Sequence, residues 1–225
     1  ISNNKGDSVV LSWGEVFYPI HRHEIIIATK VMRIVPSKTK EQWPLPVETK
    51  LIVASDLMTV RNISNPTNIS IRSAYFDESK GGKKGDTAYV KEFTIFDNDE
   101  ALITVSDLPK DETLYEFPTV FYGRGRGIHS VTPFNGVLIK NILLKHFPVN
   151  INSLQRSMIL ASGNDGYRVI FSFSEIMNRN DQAELLLVEL ERKIGKSGAK
   201  FRLLPASDFF SDRSVKSLLY LKYIK

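Results

Sequence analysis

The stretch most able to do chemistry is Gly123-Arg124-Gly125-Arg126-Gly127-Ile128-His129. Gly123, Gly125 and Gly127 let a backbone approach a ligand and expose its N–H groups. Arg124 and Arg126 can grip a phosphate or carboxylate through paired hydrogen bonds. His129 adds a donor, or a proton carrier near neutral pH. The same residues also suit a solvated basic turn. A second constellation is His21-Arg22-His23-Glu24. On a strand, His21 and His23 share a face and could hold a divalent metal with a third ligand from elsewhere, such as His129 or His146. Both also fit the start of an ordinary strand beside Pro19. The chain shows no nucleophile elbow, no phosphate-binding Walker loop and no paired-carboxylate motif. Arg168, Arg202 and Arg213 could extend an anion site or lie on solvated strand positions.

Composition bounds these readings. The chain has 225 residues, 42% hydrophobic and 24% charged, which suits one large or two small globular domains. It contains no cysteine. Disulfides, thiolate metal sites and cysteine nucleophiles are therefore excluded. A net charge of +5 allows an anionic small-molecule partner. The basic residues are scattered, without the aromatic-interleaved stripe of a nucleic-acid surface, so no nucleic acid is expected. No apolar run reaches the length of a membrane span. The start at Ile1 suggests a processed chain, which favours a periplasmic or secreted location. A protein partner is the remaining option.

The elements that would position these residues form a β-rich α+β chain. Strands are expected over 24–35, 50–54, 68–76, 88–96, 101–105 and 115–122, the last bent or at an edge because of Pro118. Ser106-Asp107 could cap a brief helical turn. Residues 80–85 read as a flexible tip. Asn135 is expected to cap a helix running to Phe147, with Leu138, Ile139, Ile142, Leu143 and Phe147 on one face and Pro148 ending it. Met158–Leu160 and Tyr167–Phe173 flank the turn Gly163-Asn164-Asp165-Gly166 as a hairpin. A short helix or loop follows, then strands over 183–191, 201–204 and 217–224. The acidic turn Asp97-Asn98-Asp99-Glu100 is the expected boundary between a β-rich part, 1–100, and a second domain, 101–225. No internal repeat is expected.

The order of motifs in the second half resembles a known family. Gly136-Val137-Leu138 lies in the expected helix, followed by the hairpin Asp165-Gly166-Tyr167 and by Ser174-Glu175-Ile176. Leu204-Pro205-Ala206-Ser207-Asp208 then precedes Arg213-Ser214-Val215. This series is similar to the molybdopterin-binding domain of sulfite-oxidase-like oxidoreductases, over residues 101–225. The resemblance implies that family's fold, a molybdopterin or other pterin cofactor and an oxidoreductase ancestry. In the family a cysteine upstream of the helix ligates molybdenum. Here the corresponding stretch is Tyr122 to His129, where an arginine cannot stand in for a thiolate. The expectation is therefore a domain binding a pterin-type or other anionic ligand through Arg124, Arg126 and His129, without cysteine-ligated molybdenum. The alternatives are a molybdopterin-dependent oxidoreductase with unusual ligation, and a non-catalytic exported interaction module. An apolar patch on the N-terminal half together with closed basic groups would favour the module.

Overall fold

A computed structural model describes residues 1–18, 24–29, 48–73, 89–123, 127–190 and 199–225. Among these the chain is β-rich, with four short α-helices. Strands β1 (Ile25–Ala28), β2 (Lys50–Val53) and β3 (Ile63–Ser64) form a small antiparallel sheet in that order. Four others form a second sheet: β6 (Tyr115–Gly123), β7 (Gly127–Leu138), β10 (Leu185–Glu189) and β11 (Phe201–Pro205), in the order β11-β10-β7-β6. A third sheet holds β4 (Phe93–Asp97), β5 (Glu100–Val105), β8 (Met158–Gly163), β9 (Arg168–Ser172) and β12 (Leu218–Ile224), in the order β5-β4-β12-β8-β9. The helices are α1 (Trp13–Phe17), α2 (Ile139–Leu143), α3 (Ile151–Arg156) and α4 (Phe173–Met177).

Most expected strands form, with trimmed ends. Pro118 lies on β6, at the sheet's edge, opposite Pro133. There its missing N–H is tolerated. Asp97 and Glu100 close the β4–β5 hairpin, and β4 continues beside β12. The third sheet therefore runs across the expected boundary. Ser106-Asp107 starts no helix. Asn68 makes only a bridge to Ser2, and 69–73 are irregular. The outer parts of the strands expected over 24–35 and 68–76, and the tip at 80–85, lie outside the described residues.

The expected helix forms only over Ile139–Leu143, and its first residues are strand. Asn135 and Gly136 sit on β7, opposite Glu116 and Tyr115, and α2 begins only at Ile139. Cross-strand pairing outweighs the capping propensity of Asn135. Val137 and Leu138 complete the second sheet against Leu187 and Leu186. The apolar face itself survives: Ile139, Ile142, Leu143 and Phe147 are all buried in the main core. Helix α3, which the sequence reading missed, is opened by a reciprocal Asn150–Ser153 capping box.

The structure also overturns the expectation of no internal repeat. Residues 1–18 align without a gap to 161–178. Val9-Val10-Leu11-Ser12-Trp13-Gly14-Glu15-Val16-Phe17 matches Val169-Ile170-Phe171-Ser172-Phe173-Ser174-Glu175-Ile176-Met177. Glu24-Ile25-Ile26-Ile27-Ala28 matches Glu184-Leu185-Leu186-Leu187-Val188. Ala54-Ser55-Asp56 and Arg61 match Ala206-Ser207-Asp208 and Arg213. The pairings repeat in register. Ile25↔Val53 corresponds to Leu185↔Pro205, and Leu51↔Ile63 to Leu203↔Val215. Ser2 bridges Ser8 and Asn68 as Ser162 pairs with Arg168 and Tyr220. Gly6 and Gly166 both adopt positive φ, +93° and +81°, which glycine does without strain.

Gly136 marks a close approach of β7 to β10. A Cβ there would lie 2.6 Å from the Leu187 carbonyl oxygen. Gly136→Ala is expected to cost about 1–3 kcal/mol through this backbone clash, read as a lowered midpoint in urea unfolding.

Candidate functional site

The charged side chains that the fold converges lie at the junction of the two repeated units. Each unit starts a short helix with a Ser-x-x-Glu capping box. Glu15 N–H donates to Ser12 Oγ (3.1 Å) and Ser12 N–H to Glu15 Oε1 (2.6 Å). Glu175 N–H donates to Ser172 Oγ (3.1 Å) and Ser172 N–H to Glu175 Oε1 (2.7 Å). These boxes fix both glutamates by satisfying backbone donors that a helix start leaves open.

Each unit then supplies an arginine from a 3₁₀ turn, Thr59–Arg61 or Ser211–Arg213. Arg61 grips Asp56 with two bonds, Nε to Oδ2 (2.8 Å) and Nη2 to Oδ1 (2.6 Å). Its Nη1 donates to Glu15 Oε2 at 3.0 Å. Arg213 repeats the pattern with Asp208 (2.8 and 2.6 Å) and Glu175 Oε2 (2.9 Å). The serines cross between units. Ser12 Oγ donates to Glu175 Oε1 at 2.7 Å, and Ser172 Oγ donates to Glu15 Oε2 at 3.0 Å. Backbone bonds cross as well, among them Leu57 N–H to the Asn178 carbonyl, Asn180 N–H to that of Ser55 and Phe209 N–H to that of Tyr18. Gly14 is required here, since a Cβ would sit 2.2 Å from Arg213 Cδ.

Four carboxylates thus face two guanidiniums in a closed interior, where Arg61 is 0% exposed. Burial raises the Glu15 carboxyl to about 7, with the Glu175 charge adding and Arg61 opposing. Burial likewise raises Asp208 to about 6, against the pull of Arg213. Burial disfavours the charge on each guanidinium, yet Glu15 and Asp56 hold Arg61 above the usual arginine range, and Glu175 and Asp208 do the same for Arg213. The cluster ties the units together. Its polar atoms are occupied by one another rather than directed at a substrate.

The residues singled out in the sequence do not join this cluster, except Arg213. Gly123 and Gly127 end β6 and β7, and Arg124, Gly125 and Arg126 lie between them, outside the described residues. His129 is exposed on β7. His21 and His23 also lie outside the described residues. Arg202 rests over Phe134, 5.0 Å from the ring centroid, and Arg168 lies on β9. Tyr167 donates from its hydroxyl to the Asp212 carbonyl, joining the Asp-Gly-Tyr hairpin to the turn that carries Arg213. What the sequence reading missed was the pairing of Ser12, Glu15, Asp56 and Arg61 with Ser172, Glu175, Asp208 and Arg213. The repeated Ser-x-x-Glu and Ala-Ser-Asp…Arg strings carried that signal.

The chain has no cysteine, so it supplies no soft thiolate ligand. Among the described residues no group of three His, Cys, Asp or Glu side chains is placed to hold a metal. The residues present do not fit a thiolate-held molybdenum. No helix among them is long and apolar enough to cross a membrane. Comparison with protein-family models, with curated proteins and with solved structures finds no match.

Two measurements test the cluster. Arg61→Met and Arg213→Met should each cost about 3–5 kcal/mol, because each strands buried carboxylates without their cation, read by urea unfolding at neutral pH. The raised Glu15 makes a signed pH prediction. A carboxyl that holds its proton more tightly when folded adds stability that is full below its unfolded value of 4.5 and lost as pH climbs through about 7. Glu15→Gln should therefore show a smaller loss of unfolding free energy than the parent between those values.

Proposed function

We propose that this chain is a non-catalytic interaction module that binds through an apolar face of its N-terminal unit. The supporting observation is a contrast between matching positions. Trp13 and Phe17 are each 59% exposed and their rings stack, centroids 4.0 Å apart. Val16 beside them is exposed, as are Ile69 and Ile71. Large apolar side chains grouped in this way are characteristic of contact surfaces. Arg61, Arg213 and the four acids they meet are enclosed and mutually satisfied. On this reading the sulfite-oxidase-like resemblance is one of framework, and the family's thiolate-dependent redox chemistry is absent because the chain has no cysteine.

Binding of a pterin or other anion at the β6–β7 hairpin is the second reading. It is favoured by the cations near that end of the sheet. Lys216 Nζ lies 5.9 Å from the Phe121 ring centroid, close in sequence to Arg124 and Arg126.

The two readings predict different results. For the module, a fluorescent apolar dye should bind the protein, and a Trp13→Ser/Phe17→Ser variant should lose most of that signal. Its stability should change by only about 0.5 kcal/mol per exposed site. For the anion site, a pterin or oxyanion should raise the melting temperature, and Arg124→Ala/Arg126→Ala should abolish the rise. That second outcome with no dye binding would replace the module reading.

A further inference from the structure

We infer that the second sheet rolls into a partial barrel whose concave side binds a small apolar carboxylate, with Arg202 holding the headgroup. This goes beyond the module reading and does not depend on it. Register is the starting point. The antiparallel bridge Leu203↔Val215 sets residues 214–216 beside β11, which places Lys216 opposite Arg202 and Ser214 opposite Leu204. Residues opposite one another in such a pair share a face. In a flat sheet β6 would lie four strand spacings from residues 214–216, about 19 Å away. Instead, Lys216 Nζ lies 5.9 Å from the Phe121 ring centroid, and Tyr122 of β6 stacks on Phe210 at 4.7 Å. The sheet therefore curls until its two edges come together.

The concave side carries Phe121 edge-on to Phe134 (6.1 Å) and Arg202 over Phe134. Its floor is the buried cluster Leu138, Leu186, Val188 and Leu204, with Phe117 packed against it. Strand alternation puts Thr119 on this side, between Phe117 and Phe121. Three polar atoms here have no partner: Thr119 Oγ1, Ser214 Oγ and Arg202 Nε. Thr119 is 3% and Ser214 5% exposed. Buried groups of this kind are normally bonded, and leaving them unmade is costly. Arg61 and Arg213 are each held by two acids, whereas only burial acts on the Arg202 guanidinium, pushing it below the usual arginine range. A carboxylate offers a guanidinium two coplanar oxygens, and both hydroxyls can donate to such oxygens. One half-buried cation matches a single negative charge. A phosphate dianion would bring a second charge against an apolar floor. The floor would take the ligand's body, and Lys216, exposed at the rim, would attract its charge.

The test titrates the full chain with cinnamate by calorimetry, with cinnamamide as the uncharged control and phenyl phosphate as the competing anion. One-to-one binding of cinnamate is expected, at least about tenfold tighter than either of the others, because hydrogen bonds to charged groups are the stronger kind. Arg202→Met should weaken cinnamate by a similar factor. It strands no carboxylate, so its circular dichroism should match the parent's. Thr119→Val/Ser214→Ala should weaken cinnamate several-fold without lowering the melting temperature, since neither hydroxyl has a partner in the free chain. Arg124→Ala/Arg126→Ala should leave cinnamate binding unchanged. No binding of cinnamate, equal binding of cinnamamide, tighter binding of phenyl phosphate or full affinity in Arg202→Met would each overturn the inference. Loss of binding in the Arg124→Ala/Arg126→Ala variant would overturn it in favour of the hairpin end.

Discussion

The fold depends on a buried set of charges shared by two copies of one motif. Neither glutamate is placed by its own unit alone. Glu15 is fixed by Ser12 and Arg61 and then receives the hydroxyl of Ser172. Glu175 is fixed by Ser172 and Arg213 and receives that of Ser12. Charges this deep are tolerated only when nearly every donor and acceptor is matched. That requirement sets the two units in register. It also explains Gly14, the one place in α1 where the arginine of the other unit leaves no room for a side chain. The matching serine, Ser174, instead accepts a bond from Asn178, so the symmetry is approximate.

The same symmetry exposes a difference. The C-terminal unit folds into one large core with α2, α3, β4 and β8, whereas the N-terminal unit holds a small cluster of Val9, Leu51, Val53 and Ile63. Side chains of equal hydrophobic character are therefore enclosed in one unit and open in the other. The polar junction is buried, and Trp13, Val16, Phe17, Ile69 and Ile71 of the N-terminal unit are exposed.

Much of the strand content was legible. Alternation along Tyr167–Phe173 and the short apolar runs at 185–188 and 218–224 carry period and length signals that burial preserves. The helix expected from Asn135 starts only at Ile139 because a local capping preference of about 1 kcal/mol competes with the β pairs of 135–138. The repeat was hidden because the matching letters are few. Unequal loops separate β1 from β2 and β10 from β11, and a long segment lies between the units.

By itself the sequence determined the β-rich class and the absence of any thiolate ligand, because each follows from residue type and short-range spacing. The tertiary structure alone decided which acids meet which arginines, and which of two matching apolar faces is covered. The arginine–acid contacts span 5 to 46 positions, and the serine bonds that tie the two units together span more than a hundred. Ser12 and Glu175 or Arg61 and Ser172 can be read as partners only once the chain has folded back upon itself.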